Sequence, residues 1–383
     1  MLKNLFKIVL LSIFCLYLAG CDKNDNRTVI KFASWGSKSE IDIIKPILSD
    51  FEKINPDIKV DFMHIPQNYF QKIHLLFASN TAPDIIFINN LNLPIYANAG
   101  VLEELDVSDG IYYPQALKAL SYDGKLYAIP RDVSNLVIYY NQDLFDKKGI
   151  VYPKEDWTFA EFLTICRKLT DKNTFGFSFE EGAMYYLPFL MSEGGGILSD
   201  DLKENILKSS ESQKGLKFYS DLRNKYHFAP RKNESASATM AQMFLQERLG
   251  MHLSGRWLVP KYRSDAKFRW DIVNFPHGDR GSIVPMDASG WAISKSSKYK
   301  KESRMLIDFL SSDNNIRKIV SSGLITPARI DSSNSKEFLN GLPANAKVFL
   351  NVIKTSKPTP VSIDYNKVLS DIKNYTEEIF EGN

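Results

Sequence analysis

The sequence predicts an α/β protein of two domains, and three observations carry that prediction. Residues 28–88 read as strand, helix, strand, helix, strand, the series that winds a mainly parallel sheet. The alternation resumes after Lys125 with different punctuation. Setting aside the first 20 of 383 residues as an export segment leaves 363, more than one hydrophobic core usually serves.

The export segment is read from its charge pattern. Lys3 and Lys7, with no acid between them, precede an uncharged apolar run at residues 8–19. A positive start and a short apolar stretch make a secretory signal, too short to remain as a spanning helix. Leu18-Ala19-Gly20-Cys21 then resembles the lipobox of bacterial lipoproteins, which implies acylation of Cys21 (palmitate among the chains) and removal of residues 1–20. Residues 21–27 form the anchor and a polar tether. Its six residues after the cysteine reach about 20 Å when extended, enough to hold a folded body off a membrane. The expected location is the extracytoplasmic face of the cell membrane, the periplasmic side in an organism with two membranes.

The elements follow in order. Residues 28–33 are an apolar strand. Ser37 and Glu40 have the spacing of a capping box ahead of Ile41, Ile44, Ile47, Leu48 and Phe51 at helical intervals. Asn55-Pro56-Asp57 stops that helix before an extended segment at 58–65. Phe70, Ile73, Leu76 and Phe77 mark a second helix, and Pro83-Asp84 introduces residues 85–88, apolar on both faces like a strand inside a parallel sheet. Residues 125–130 read as a strand stopped by Pro130, and 136–140 as another. Thr158 and Glu161 make a second capping box. In the helix behind it, Phe159, Phe162, Leu163 and Leu169 put Cys166 on an apolar face, the place of a buried structural thiol. Helices at 210–226, 238–246 and 300–310 and strands at 248–253, 270–275 and 291–294 follow. A mostly helical tail is broken by Lys357-Pro358-Thr359-Pro360.

The chemistry is notable for what is missing. Formal charge falls from +3 to +1 once Lys3 and Lys7 leave, which gives no basis for nucleic-acid binding. The 5 histidines are scattered without metal-ligand spacing. No nucleophile elbow, Walker loop or dinucleotide fingerprint appears, so neither a cofactor nor an enzyme is expected. Gly194-Gly195-Gly196 follows an apolar helical pattern and reads as a helix stop. What remains are aromatics and amides at strand ends: Trp35 after the first strand, Asn89 and Asn90 after the buried one, and Trp257 behind Gly255. Aromatic faces suit the apolar side of a pyranose and amides suit its hydroxyls. Open α/β sheets bind ligands at the carboxyl ends of strands, where these residues fall.

The stretch Gly124-Lys125-Leu126-Tyr127-Ala128-Ile129-Pro130, followed by Val137-Ile138-Tyr139-Tyr140-Asn141-Gln142-Asp143-Leu144-Phe145, resembles the central signature of bacterial extracellular solute-binding proteins of the maltodextrin-binding class. Pro83-Asp84-Ile85-Ile86, Trp157-Thr158-Phe159-Ala160-Glu161-Phe162, Gly255-Arg256-Trp257 and Gly290-Trp291-Ala292-Ile293-Ser294 match in the same order. The resemblance implies the two-lobed periplasmic-binding-protein fold, each lobe a mainly parallel sheet flanked by helices. It places residues 28–132 plus 288–322 in the N-terminal lobe and 133–287 plus 323–383 in the C-terminal lobe. Hinge crossings are expected near 131–135, 283–288 and 322–327. It also implies ligand contacts at Trp35, Lys38, Asn89, Asn90, Ser134, Tyr185, Trp257, Asp287 and Ser289. Ser134 stands where the maltodextrin pattern has an acid, with Asp132 close by, and Ile88 stands where it has an aromatic. The expected function is capture of a carbohydrate by a monomer and delivery to an ABC permease. A phosphorylated polyol or another small polar solute is the alternative, with Lys38, Arg131 or Arg329 as the anion's partner. A lipid-anchored hydrolase is a more distant one.

Overall fold

The computed structural model describes residues 27–235 and 237–382. The signal, Cys21 and the tether up to residue 26 lie outside the described residues. In chain order the strands are β1 (Thr28–Ser34), β2 (Ile58–His64), β3 (Ile85–Asn89), β4 (Ser121–Tyr122), β5 (Lys125–Leu126), β6 (Ile129–Asn135), β7 (Val137–Asn141), β8 (Met251–Ser254), β9 (Trp270–Val273), β10 (Pro285–Ile293), β11 (Thr326–Pro327) and β12 (Lys357–Pro358). They form two main sheets. The first runs β11-β6-β10-β3-β1-β2, with β12 added beside β10, and the second runs β8-β7-β9. Single residue Leu136 joins β6 of one sheet to β7 of the other. Helices pack on both, so the α/β class and the two lobes stand as expected.

The mainly parallel character is corrected. Only β2, β1 and β3 form a parallel set, and β12 joins β10 in parallel. β10 runs antiparallel to β3 and to β6, and both pairings of β7 are antiparallel. The misreading has a physical origin. A strand covered by helices on both faces is apolar on both faces whichever way its neighbours run. Every residue of β7 is buried, and its sequence does not record direction.

Pro130 was expected to end a strand and instead lies inside β6. Pairing with β10 shifts register between Ser289 and Gly290, and Pro130 sits opposite Gly290 at that bulge. On its other side β6 meets β11 only at Asp132 and Val133, so the missing N–H of Pro130 falls where no partner strand asks for it. Gly290 is needed there, because a Cβ would press against the Ile129 carbonyl and Leu120.

Local signals elsewhere hold. The helix Lys38–Ile54 buries Ile41, Ile44, Ile47, Leu48 and Phe51. Thr158 and Glu161 form both bonds of their capping box ahead of Phe159–Leu169. Gly194, at φ +94°, follows the helix Ala183–Ser192 as the expected stop, and Gly195 is pressed against the Ser212 backbone of the helix Ser210–Asn224.

Cys166 is fully buried, and burial pushes its thiol well above the usual range. A chain lacking residues 1–20 and carrying Cys21→Ala keeps this one thiol. It should resist a disulfide reagent in native buffer and react fully once denatured. Stoichiometric labelling of the native protein would contradict the packing.

Candidate ligand-binding site

The strand register gathers five of the candidate residues. β10 sets Ser289 opposite both Asn89 and Asp132, and Asp287 opposite Ser134. Residues directly opposite share a face, as do residues two apart on one strand. Asn89, Asp132, Ser134, Asp287 and Ser289 therefore line one face of the β3-β10-β6 ribbon. Asn89, Ser134, Asp287 and Ser289 are partly exposed, whereas Val133, Met286 and Ala288 on the other face are buried.

The bulge supplies a sixth group. Arg131 is the extra residue of the shifted register, and such a residue turns its side chain away from strict alternation. Its Nε donates to Asp132 at 2.5 Å and its Nη1 to Glu40 at 2.5 Å. The guanidinium stands 4.1 Å over the Phe87 ring, and Trp35 packs against Phe87 at 4.3 Å. Burial alone would lower the pKa of Arg131, but the two carboxylates raise it above its ordinary value. Glu40 departs from the expected capping box. Its N–H donates to Ser37 at 3.3 Å, yet its carboxylate turns to Arg131 instead of back to Ser37. A buried cation attracts that carboxylate more strongly than a solvated backbone amide does.

Asn90 proves to be a strut. Its backbone N–H donates to the Ala288 carbonyl at 3.0 Å, its Oδ1 accepts from Ala288 at 3.0 Å, and its Nδ2 donates to Asp287 at 3.1 Å. The same Asp287 oxygen accepts from Thr359 Oγ1 at 2.7 Å. Burial pushes the Asp287 carboxyl up despite those two bonds. Asn89 accepts from the backbone and side chain of Asn92 at 3.1 and 2.9 Å, turning the chain into the helix Leu93–Asn98. Lys38 is not brought to this group: it is exposed and pairs with Asp42 at 2.7 Å.

The second sheet contributes Trp257 and Tyr185. Ser254 pairs with Val137, which places the turn at Gly255 beside the passage from β6 to β7. The Trp257 ring folds back over Gly255 and fills the space a Cβ would need, so only glycine admits this arrangement. Tyr139 fixes the turn by donating to the Gly255 carbonyl at 2.8 Å. Tyr185, on the helix Ala183–Ser192, is partly buried, and burial together with the Glu180 carboxylate pushes its phenol up. Glu180 has its backbone held both ways by the Tyr219 hydroxyl, at 2.9 and 2.8 Å. The sequence marked Glu40 only as a capping residue, and its bond to Arg131 depends on a residue ninety-one positions away.

Two concavities, of about 520 and 480 Å³, meet at Asp200, Lys357 and Pro360 beside β12 and share only Asn90 with the candidate set. Among the described residues no group of three or more His, Cys, Asp or Glu side chains is placed to hold a metal ion. No described helix is long and apolar enough to cross a membrane.

Two α/β sheets joined through adjacent strands, with a face of polar side chains on the first, make the two-lobed architecture of periplasmic binding proteins. The chain belongs to the family of bacterial extracellular solute-binding proteins, whose model matches residues 47–345. It is 23% identical to the galactooligosaccharide-binding protein of Bacillus subtilis, across 96% of this chain and 90% of that protein. It is 25% identical to the multiple sugar-binding protein of Streptococcus mutans, across 81% and 78%. Among solved structures it is similar to an ABC substrate-binding protein from Listeria monocytogenes in complex with cycloalternan, with TM-score 0.83 and 27% identity over 93% of this chain and 94% of that one. The GacH receptor of Streptomyces glaucescens shares the fold at TM-score 0.80 and 20% identity, over 93% and 94%.

The Asp287 carboxyl yields a stability test. Its folded pKa lies above the ordinary 3.8, so the folded state binds the proton more tightly than the unfolded one. Ligand-free stability is therefore lost as pH rises from 3.8 through the folded value. Asp287→Asn should melt above the parent at pH 7, with the gap closing as pH falls toward 4. A gap that widens on acidification would rule out a raised Asp287 carboxyl.

Proposed function

We propose that the protein is the substrate-capturing subunit of an ABC importer and closes its lobes over an oligosaccharide. The observation that carries this reading is the single face bearing Asn89, Asp132, Ser134, Asp287 and Ser289, with Trp35 packed against Phe87 of the same sheet. Hydroxyls of a sugar take such donors and acceptors, and its C–H faces take the indoles. Support also comes from relatives named for galactooligosaccharide and multiple-sugar binding, and from the cycloalternan complex of the Listeria protein. The lobes are residues 28–132 plus 288–322 and 133–287 plus 323–383, rotating about the crossings at 131–135, 283–288 and 322–327. Ligand stabilises the closed form through contacts made by both lobes at once.

An uncharged ligand is favoured over a phosphorylated polyol. The three cations that a phosphate would need already have carboxylates: Lys38 has Asp42, Arg131 has Glu40 and Asp132, and Arg329 has Asp331 at 2.6 Å. Opening any of these pairs would set one ion pair against another and leave little net gain.

Calorimetry against galactooligosaccharides, maltodextrins, cycloalternan and a polyol phosphate tests the reading. At least one sugar should bind, with the radius of gyration shrinking at saturation, and Trp257→Ala should lose about 2 kcal/mol, roughly thirtyfold in affinity. Binding of the polyol phosphate alone would transfer the site to the alternative.

The protein works as a monomer held to the extracytoplasmic face by lipid on Cys21, where it meets its permease. With Cys21→Ala the body should fold normally and be recovered in the aqueous phase of a detergent partition. Recovery of that variant in the detergent phase would refute the anchor.

A further inference from the structure

Arg256 is only 3% exposed, and among the described residues no carboxylate pairs with it. Its Nε and Nη1 have no hydrogen-bond partner, and its Nη2 reaches the Phe338 carbonyl at 3.3 Å. The guanidinium lies 3.9 Å over the Phe338 ring and 5.3 Å from that of Phe349. Two other arginines are buried, and each is neutralised: Arg131 by Glu40 and Asp132, Arg223 by Glu181 at 2.9 Å. Arg256 is the exception among these.

A second cation adds to the imbalance. The 3-10 turn Arg256–Leu258 continues into the helix Val259–Asp265, so Arg263 lies two turns beyond Arg256 on one side of a single helical run. Arg263 donates through Nε to the Leu342 carbonyl at 2.6 Å, and its Nη2 is buried without a partner. Burial, helped by the charge of Arg263, pulls the pKa of Arg256 down to about 10, which still leaves it charged at neutral pH. Two guanidinium groups thus hold three nitrogen atoms without acceptors, in surroundings of Phe338, Phe349 and Val259. Buried charge of this kind is retained in proteins when something of opposite sign compensates it.

We propose that Arg256 and Arg263 together bind a halide ion, chloride in the protein's own setting, directly behind the turn that carries Trp257. A monatomic anion accepts from several N–H groups and itself asks for no donor. An oxyanion would have unfilled acceptor sites against the phenylalanine rings. The competing occupant is water. The Oδ1 of Asn135 is also buried without a donor, and Asn135 bonds the Phe349 carbonyl at 2.9 Å, so a water shared with Arg256 would satisfy it.

Crystals grown in bromide give the direct reading, because bromide scatters anomalously and water does not. An anomalous peak within hydrogen-bonding distance of Arg256 Nη1 and Arg263 Nη2 is expected. The ligand-free melting temperature should rise by roughly 2 °C for each tenfold increase in chloride above saturation, at ionic strength held constant with gluconate. Arg256→Met should abolish that dependence, and Arg263→Met, at a more exposed position, provides the same test if the first variant folds poorly. No anomalous peak at the arginines, together with melting temperatures equal in chloride and gluconate, would assign the position to water and overturn the proposal.

Discussion

The pairing of β6 with β10 is the constraint on which the rest of the molecule depends. Both strands extend past the parallel core of the first sheet, and their ladder continues from Ile129 opposite Trp291 to Asn135 opposite Met286. Because they are hydrogen-bonded to each other, the passage from the first sheet to the second is a two-stranded ribbon and not a pair of loops. The same ladder decides which side chains meet, since an antiparallel register places Asp287 beside Ser134 and Ser289 beside Asp132 with no further instruction.

One irregularity in that ladder does much of the chemical placement. The shift at Ser289/Gly290 tolerates a proline, requires a glycine, and turns Arg131 toward Glu40, Asp132 and Phe87. A regular strand would have alternated Arg131 and Asp132 to opposite faces. The ion pairs that result tie the start of the helix Lys38–Ile54 to the crossing strand, so the floor of the site and the first lobe are mechanically one piece.

How far the sequence disclosed this differs between levels, for identifiable reasons. Helices with capping signals and spaced apolar residues, such as Phe159–Leu169, were legible because both signals are local. Strand direction was not, since residues 137–141 are buried on both faces and carry no periodicity. Asn89 and Ser289, which the family pattern suggested as candidates, are brought opposite one another by the register. Asn90 and Lys38 are bonded by neighbouring side chains and backbone. An asparagine at a strand end suits a ligand and a structural bridge equally well, and only the partner strand, almost two hundred residues on, settles which bonds it makes. Glu40 shows how a correct local reading is displaced by a distant one, because its capping role competes with an arginine ninety-one positions away.

The bridge at Asp287 also bears on the order in which the protein is made. One carboxylate oxygen joins Asn90 at the end of β3 to Thr359, just past β12, so this polar floor is assembled from the early, middle and late parts of the polypeptide. A chain emerging from a ribosome or a translocation pore cannot complete that floor until residue 359 is free to return to the first lobe. Nascent fragments would therefore bury much of the parallel core while lacking the finished polar face. Such a topology couples ligand capture to completion of the chain, which suits a protein that is useful only once it has been fully exported.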